Sequence, residues 1–318
     1  YDFFHYLIFT LQKSVSIVEY THIMSISRQN LSVIIVSFKS NHIINQCIDS
    51  IDKEIKVIVV ENSNDAALKQ DLENKYKNVK CVLSQDNNGM GAGNNLGLKY
   101  VTTDFVFILN PDIKLANGAI EEIIKASKII TSFGMLAPIS DNTEYPNYKL
   151  DKNQNSNFDE INPFQVKSID GFAMLLNLKR IKQFKNFTFF DENFFLYLEN
   201  DDLCRRLKKL NENIFIIPKS KINHLGGKTV DPKYEDEIEL SRNWHWMWSK
   251  FYFNKKHYGY LNALLKISNN FCSAAIKFFY YFITRNNNKK KIYQMRLSGL
   301  YNSLVGNSSW YRPKIKKN

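Results

Sequence analysis

Residues 103–112, Thr-Asp-Phe-Val-Phe-Ile-Leu-Asn-Pro-Asp, constrain the fold more than any other stretch. Phe105 to Leu109 is an unbroken apolar run, the pattern of a strand buried on both faces, and such a strand needs a packed layer on each side of its sheet. Asn110-Pro111 halts the run, because proline gives the ladder no donor. Asp112 therefore falls just beyond a strand's carboxyl end. In open α/β sheets that edge is where ligands bind, and a carboxylate there can face a metal or the phosphates a metal holds. A capped turn would explain Asn-Pro-Asp equally well in isolation, so the flanking segments decide its meaning.

Those segments alternate. Leu31 to Ser37 reads as a buried strand, and Ile43, Ile44, Cys47, Ile48 and Ile51 follow at helical spacing. Ile55 to Val60 is a second strand ending in Glu61-Asn62-Ser63, and Asp65 opens a helix through Tyr76. Val79 to Ser84 is a third, followed by a Gly/Asn-rich loop over residues 87–95 and a helix to Tyr100. This order predicts an α/β fold, a mostly parallel sheet with helices on both faces. Beyond Asp112, residues 116–130 read as a helix, 140–165 as a long polar surface loop, 172–176 as an apolar run and 214–217 as a short strand. Glu199-Asn200-Asp201-Asp202 opens a helical segment, where unpaired backbone N–H groups favour carboxylates.

At 318 residues and 44% hydrophobic content the chain can bury a substantial core. The net charge of +12 resembles a nucleic-acid signal until it is located. From Lys250 onward there are 14 Lys/Arg and no Asp or Glu, which leaves 29 basic against 31 acidic residues in the rest. No nucleic-acid-binding module accompanies the charge, so no nucleic-acid partner is expected. Cys47, Cys81, Cys204 and Cys272 lie far apart with no CxxC spacing, which points to reduced thiols and a reducing compartment. Residues 1–23 carry Asp2, His5 and Lys13 ahead of the first methionine, Met24; they fit no signal peptide and are expected to have no role.

Taken in order, several segments resemble the inverting family-2 glycosyltransferases with a GT-A fold, most closely a rhamnosyltransferase-like branch. They are Val33 to Phe38, Val59 to Ser63, Asn88 to Gly97, Leu109 to Asp112, Asp170 to Leu175, Phe195 to Arg206 and His224 to Gly227. The resemblance implies a GT-A, Rossmann-like mixed sheet flanked by helices over residues 31–240, after an extension of no assigned role (1–30) and before an aromatic, basic helical tail (241–318).

The resemblance also implies roles. Ser37, Glu61 (where the family usually has Asp), Asn88, Gly89, Gly93, Asn94, Asn110 and Gly171 would line a nucleoside-diphosphate sugar, dTDP- or UDP-linked. Asp112 would bind Mg²⁺ or Mn²⁺ on the donor diphosphate, with His224 as a second ligand or a diphosphate contact. The metal would neutralise the leaving group. An inverting transfer needs one base for the acceptor hydroxyl, and clustered acids have pKa values raised toward a usable range. The family commonly shows Glu-Asp where this chain has Glu199-Asn200. Asn200 cannot be a base, which leaves Glu199 first, then Asp202, then Asp201.

In the tail, Trp244, Trp246, Trp248, Phe251, Tyr252 and Phe253 crowd together, and Leu261 to Ile283 is apolar but broken by Asn262, Lys266, Asn269, Asn270 and Lys277. A membrane span needs about 18–20 uninterrupted apolar residues. The segment reads instead as amphipathic helices on a membrane surface, with Lys289, Lys290, Lys291 and Arg296 toward anionic headgroups. The expectation is transfer of rhamnose or a similar hexose to a lipid-linked or polysaccharide acceptor at the cytoplasmic membrane face, in cell-surface polysaccharide synthesis. Two rivals are a sugar-phosphate nucleotidyltransferase, whose basic glycine-rich phosphate loop is missing at Ser37-Phe38-Lys39-Ser40, and an inactive sugar-nucleotide-binding scaffold.

Overall fold

Phe105–Leu109 is the strand around which the sheet is built. In the computed structural model, which describes residues 25–130, 132–142, 146–151, 161–225 and 229–315, all five of its residues are buried. Phe105, Phe107 and Leu109 enter one apolar layer while Val106 and Ile108 enter the other. Burying such side chains contributes about 1.5–3 kcal/mol each. The extension 1–23 lies outside the described residues.

The first half runs β1 (Leu31–Ser37), α1 (Ile44–Asp49), β2 (Lys56–Glu61), α2 (Ala66–Lys75), β3 (Val79–Leu83), α3 (Gly89–Leu98) and β4 (Phe105–Leu109). Asp65 caps α2 by accepting from the Leu68 N–H at 3.0 Å. Next come β5 (Ile113–Leu115), α4 (Ala119–Ile129), β6 (Met135–Ser140), β7 (Tyr148–Lys149), β8 (Phe164–Gln165), β9 (Ser168–Ile169), β10 (Ala173–Asn177), α5 (Leu178–Ile181), α6 (Glu199–Lys209) and β11 (Ile214–His224). Strand order is β3-β2-β1-β4-β10-β6-β11-β5, with β8 also on β11. β1 to β4, β6 and β11 point one way; β10, β5 and β8 run against them. The carboxyl ends of β1 to β4 and β11 therefore share one edge.

Three segments differ from the sequence reading. The glycine-rich stretch expected as a loop is helical from Gly89. Glycine disfavours helix by about 1 kcal/mol per residue, but this helix packs too close to the sheet for side chains: a Cβ on Gly93 would lie 2.7 Å from Val36 Cγ1. β11 extends to His224, well past the four residues read as strand, through a register shift between Ile217 and Lys221. Within 140–165, Tyr148–Lys149 pairs with β9 and Phe164–Gln165 with β11. Residues 143–145 and 152–160 of that expected loop lie outside the described ones.

The tail is three helices, α7 (Glu235–Tyr258), α8 (Tyr260–Ile283) and α9 (Asn287–Leu304), so the boundary expected at 240 falls inside α7. They pack on one another around Met247, Phe251, Ala263, Ile267 and Leu300. Among the described residues no helix is long and apolar enough to cross a membrane.

Candidate active site

The shared edge carries a cleft of about 270 Å³ lined by Asn62, Gly89, Asn110, Asp112, Tyr197 and His224, among others. The register Ile113↔His224 between β5 and β11 brings Asp112 and His224 together, although 112 positions separate them in the chain. His224 Nε2 lies 3.4 Å from Asp112 Oδ2, and the imidazole stacks on Phe172 at 4.1 Å between centroids. Asp112 is buried, and neither carboxylate oxygen has a hydrogen-bond partner. A buried charge without a partner is costly, so this one is built for a ligand.

A second cavity of about 330 Å³ adjoins the cleft, sharing Phe38, Asn62, Asn87 and Pro313 and adding Ser63 and Asn88. Asn62 donates its Nδ2 to the Gly89 carbonyl at 3.1 Å and keeps a buried, unpartnered Oδ1. Gly89 has φ +89°, and a Cβ there would lie 2.1 Å from the Phe195 carbonyl, so only glycine fits. Asn88, Gly89 and Asn110 thus line the cavities. Glu61 does not: its carboxylate accepts from the backbone N–H groups of Ser63 (3.0 Å) and Asp65 (2.7 Å). Burial pushes its pKa up while those bonds pull it down. Ser37 and Asn94 are buried beneath the edge with unpartnered polar atoms, and Gly93 and Gly171 serve close packing against Val36 and Asn200.

The acids of α6 occupy three different environments. Glu199 is buried with Oε2 unpartnered, and burial, with a smaller push from Asp201, raises its pKa to about 7. Asp201 is held by Lys149 Nζ at 2.8 and 3.0 Å. Asp202 is buried and engaged by Arg206 (2.8 Å), Lys256 (2.7 Å) and the His257 ring (2.8 Å). Burial holds His257 below its ordinary pKa, and the contact with Asp202 works against that shift. Asn200 donates to the Ile169 carbonyl at 2.7 Å. Just before α6, Tyr197 (φ 71°) and Leu198 (φ 68°) are both left-handed, a strained turn at about 1–3 kcal/mol per residue.

Residues 32–175 match the family described as Glycosyl transferase family 2. The match covers less than half of the chain, whose mixed sheet flanked by helices has the GT-A fold. GalNAc-T7 with UDP, GalNAc and Mn²⁺ is similar in fold, with TM-score 0.51 and 14% identity over 61% of this chain and 43% of that one. The present chain thus spans less than half of that protein's length. Mannosyltransferase PcManGT from Pyrobaculum calidifontis, in complex with GDP-Man and Mn²⁺, gives TM-score 0.52 and 10% identity over 87% and 88% of the two chains. No protein of curated function matches in sequence.

Sequence reasoning missed the wall of this site that comes from outside the matched span. Ile238, Ser241 and Arg242 of α7 line the cleft, as does Pro313. After α9 the chain returns as a strap. Ser309 Oγ donates to the Asn193 carbonyl (2.7 Å), His245 Nε2 meets the Tyr311 carbonyl (2.8 Å), and Arg312 donates Nε to the Asn87 carbonyl (3.0 Å) while lying 3.9 Å over Phe195. The available signal was the cluster Trp310-Tyr311-Arg312-Pro313, too aromatic for a solvated end. Asp112 and His224 fit a divalent cation: two protein ligands leave the remaining oxygen positions to phosphates and water, the usual arrangement for Mg²⁺ at phosphate-binding sites.

Proposed function

We propose that the chain is an inverting, divalent-metal-dependent glycosyltransferase, moving rhamnose or a similar hexose from a dTDP- or UDP-sugar to a lipid-linked or glycan acceptor. The observation that carries this reading is the buried, unpartnered Asp112 carboxylate beside His224, at the carboxyl edge of a family-2 sheet. Asp112 and His224 hold the cation, which when bound offsets charge on the leaving diphosphate. The Mn²⁺ and nucleotide ligands of GalNAc-T7 and PcManGT support both the cation and the donor class. Asn62, Ser63 and Asn88 contact the nucleoside, and Gly89 lets backbone approach the donor.

Glu199 is the base in this reading. Asp201 and Asp202 already hold cations, whereas Glu199 has a free carboxylate oxygen and a pKa near 7, matched to taking a hydroxyl proton at neutral pH. The enzyme works on the cytoplasmic membrane surface. In support, α8 exposes Leu261, Leu265, Ile276, Phe279 and Ile283 along one face, next to the lysines at 289–291.

The test is release of nucleoside diphosphate from a panel of sugar nucleotides with Mn²⁺, Mg²⁺ or EDTA, with membrane lipid extract as acceptor. Release from one donor, abolished by EDTA and in Asp112→Asn, is expected. Nucleotide binding without turnover of any donor would favour the scaffold function.

A further inference from the structure

Consecutive residues face two different cavities. Tyr197 lines the cleft that holds Asp112, Leu198 lines a separate groove of about 540 Å³, and Glu199 follows at the first turn of α6. Six cationic side chains line the groove: Lys149, Lys167, Arg205, Lys208, Lys209 and Lys250. Against them stand two carboxylates, Asp151 and Asp201, and Asp201 is already gripped by Lys149.

Part of this charge has a structural use, since Lys208 and Lys209 complement the negative end of α6. The rest does not. Lys167 from the β8–β9 turn, Arg205 from α6 and Lys250 from α7 converge from three elements with no carboxylate partner among the described residues. Arg205 gives Nη1 to the Tyr258 hydroxyl at 2.7 Å, yet its buried Nε has no partner. Lys250 donates to the Asn270 side-chain oxygen at 2.7 Å and lies 5.8 Å over the Trp246 ring, with no carboxylate partner among the described residues, and burial pushes its pKa down. Trp246 adds a partly exposed aromatic face to the same groove, while the Tyr258 ring is already covered by Arg205 (4.3 Å) and Lys266 (4.6 Å). Flat aromatic surface with convergent guanidinium and ammonium groups suits a sugar ring bearing phosphate.

We infer that this groove binds a phosphate ester carried by the acceptor, separate from the donor phosphates at Asp112. The name acceptor rests on the glycosyltransferase reading; the affinity for phosphate does not. A phosphorylated acceptor seated here would meet the chain beside Leu198, at the start of the helix that carries Glu199. An incoming molecule without phosphate would leave the cations unmatched, so the groove selects among acceptors by charge.

The experiment is titration of glucose 1-phosphate and of methyl glucoside into the full chain, the Asp112→Asn variant, the Lys167→Gln/Lys250→Gln variant and Trp246→Ala. Glucose 1-phosphate is expected to bind wild type and Asp112→Asn alike, the double-lysine variant at least about tenfold less tightly, where charge-assisted hydrogen bonds are lost, and Trp246→Ala about fivefold less tightly, where an aromatic face is lost. Methyl glucoside is expected to bind at least as weakly. Equal affinity across wild type and both groove variants, loss confined to Asp112→Asn, or no preference for the phosphorylated sugar would each overturn the inference. Vesicles of phosphatidylglycerol and phosphatidylcholine separate the other source of phosphate: if the groove variants lose vesicle binding but keep glucose 1-phosphate, the groove is a headgroup site and the inference fails. Absence of donor turnover would remove the glycosyltransferase reading and leave the phosphate site standing, so the two failures are distinguishable.

Discussion

Asp112 and Asp202 are both buried carboxylates, and their surroundings are opposite. Asp202 is satisfied inside the fold by Arg206, Lys256 and His257, and two of those partners come from α7. The Asp112 carboxylate has only an imidazole at 3.4 Å and no hydrogen bond among the described residues. The first arrangement is a fastening between the sheet domain and the tail. The second keeps electrostatic energy in reserve until a ligand arrives, because a buried charge left unmatched is costly.

Stability should break the pair apart first. Asp202→Ala leaves Arg206 and Lys256 facing an empty site, and a loss of about 3–5 kcal/mol is expected in urea unfolding. Asp112→Asn should unfold no more easily than wild type; a comparable loss would show that Asp112 is a fastening as well. Activity should divide them the other way. Nucleoside diphosphate release in Asp112→Asn is expected to fall by several kcal/mol of transition-state stabilisation, about 10³-fold.

Glu199 lies between these extremes, and Glu199→Gln should lower turnover by about 10²-fold. With its pKa near 7, wild-type kcat/KM is expected to rise with pH up to about 7 and then level, because only the carboxylate accepts a proton. Stability should move oppositely. The folded pKa lies above the unfolded one, so the contribution is fully present below the ordinary carboxylate range and is lost as pH rises through about 7. Glu199→Gln removes that slope, on the order of 3 kcal/mol, readable by unfolding at pH 4 and pH 8. The smallest effect concerns apolar surface, where the same contrast recurs on α8. Ile267 is buried inside the tail while Leu265 is left open. Leu265→Ser should weaken sedimentation with anionic vesicles by about tenfold and leave unfolding unchanged.

Much of the fold was legible because its signals are local. The Phe105–Leu109 run, its stop at Asn110-Pro111 and the strand-helix alternation before it need only neighbouring residues to be read. α3 was not, because glycine's poor helix propensity is overridden by a sheet surface that admits nothing larger at Gly93. The far end of β11 was hidden by Pro218, Lys219 and Lys221 around its register shift, which break both strand and alternation patterns. In the site, the pairing of Asp112 with His224 was expected from family resemblance, and strand register accounts for it. The roles of Asp202 and Glu61 were hidden for different reasons. The His257 partner of Asp202 lies 55 positions away, and Glu61 turns back onto its own loop.

The strap that ends in Pro313 has a consequence for the fate of a reactive sugar. Latched by Arg312 to Asn87 and by Tyr311 to His245, it places Pro313 along one side of the cleft. On the glycosyltransferase reading, a donor held there would be screened on that side from the most abundant competing nucleophile, and loss of the latch would let it leak. Arg312→Ala is therefore expected to raise the free sugar formed per nucleoside diphosphate released: the partition between transfer and hydrolysis would be set by a residue far outside the matched domain.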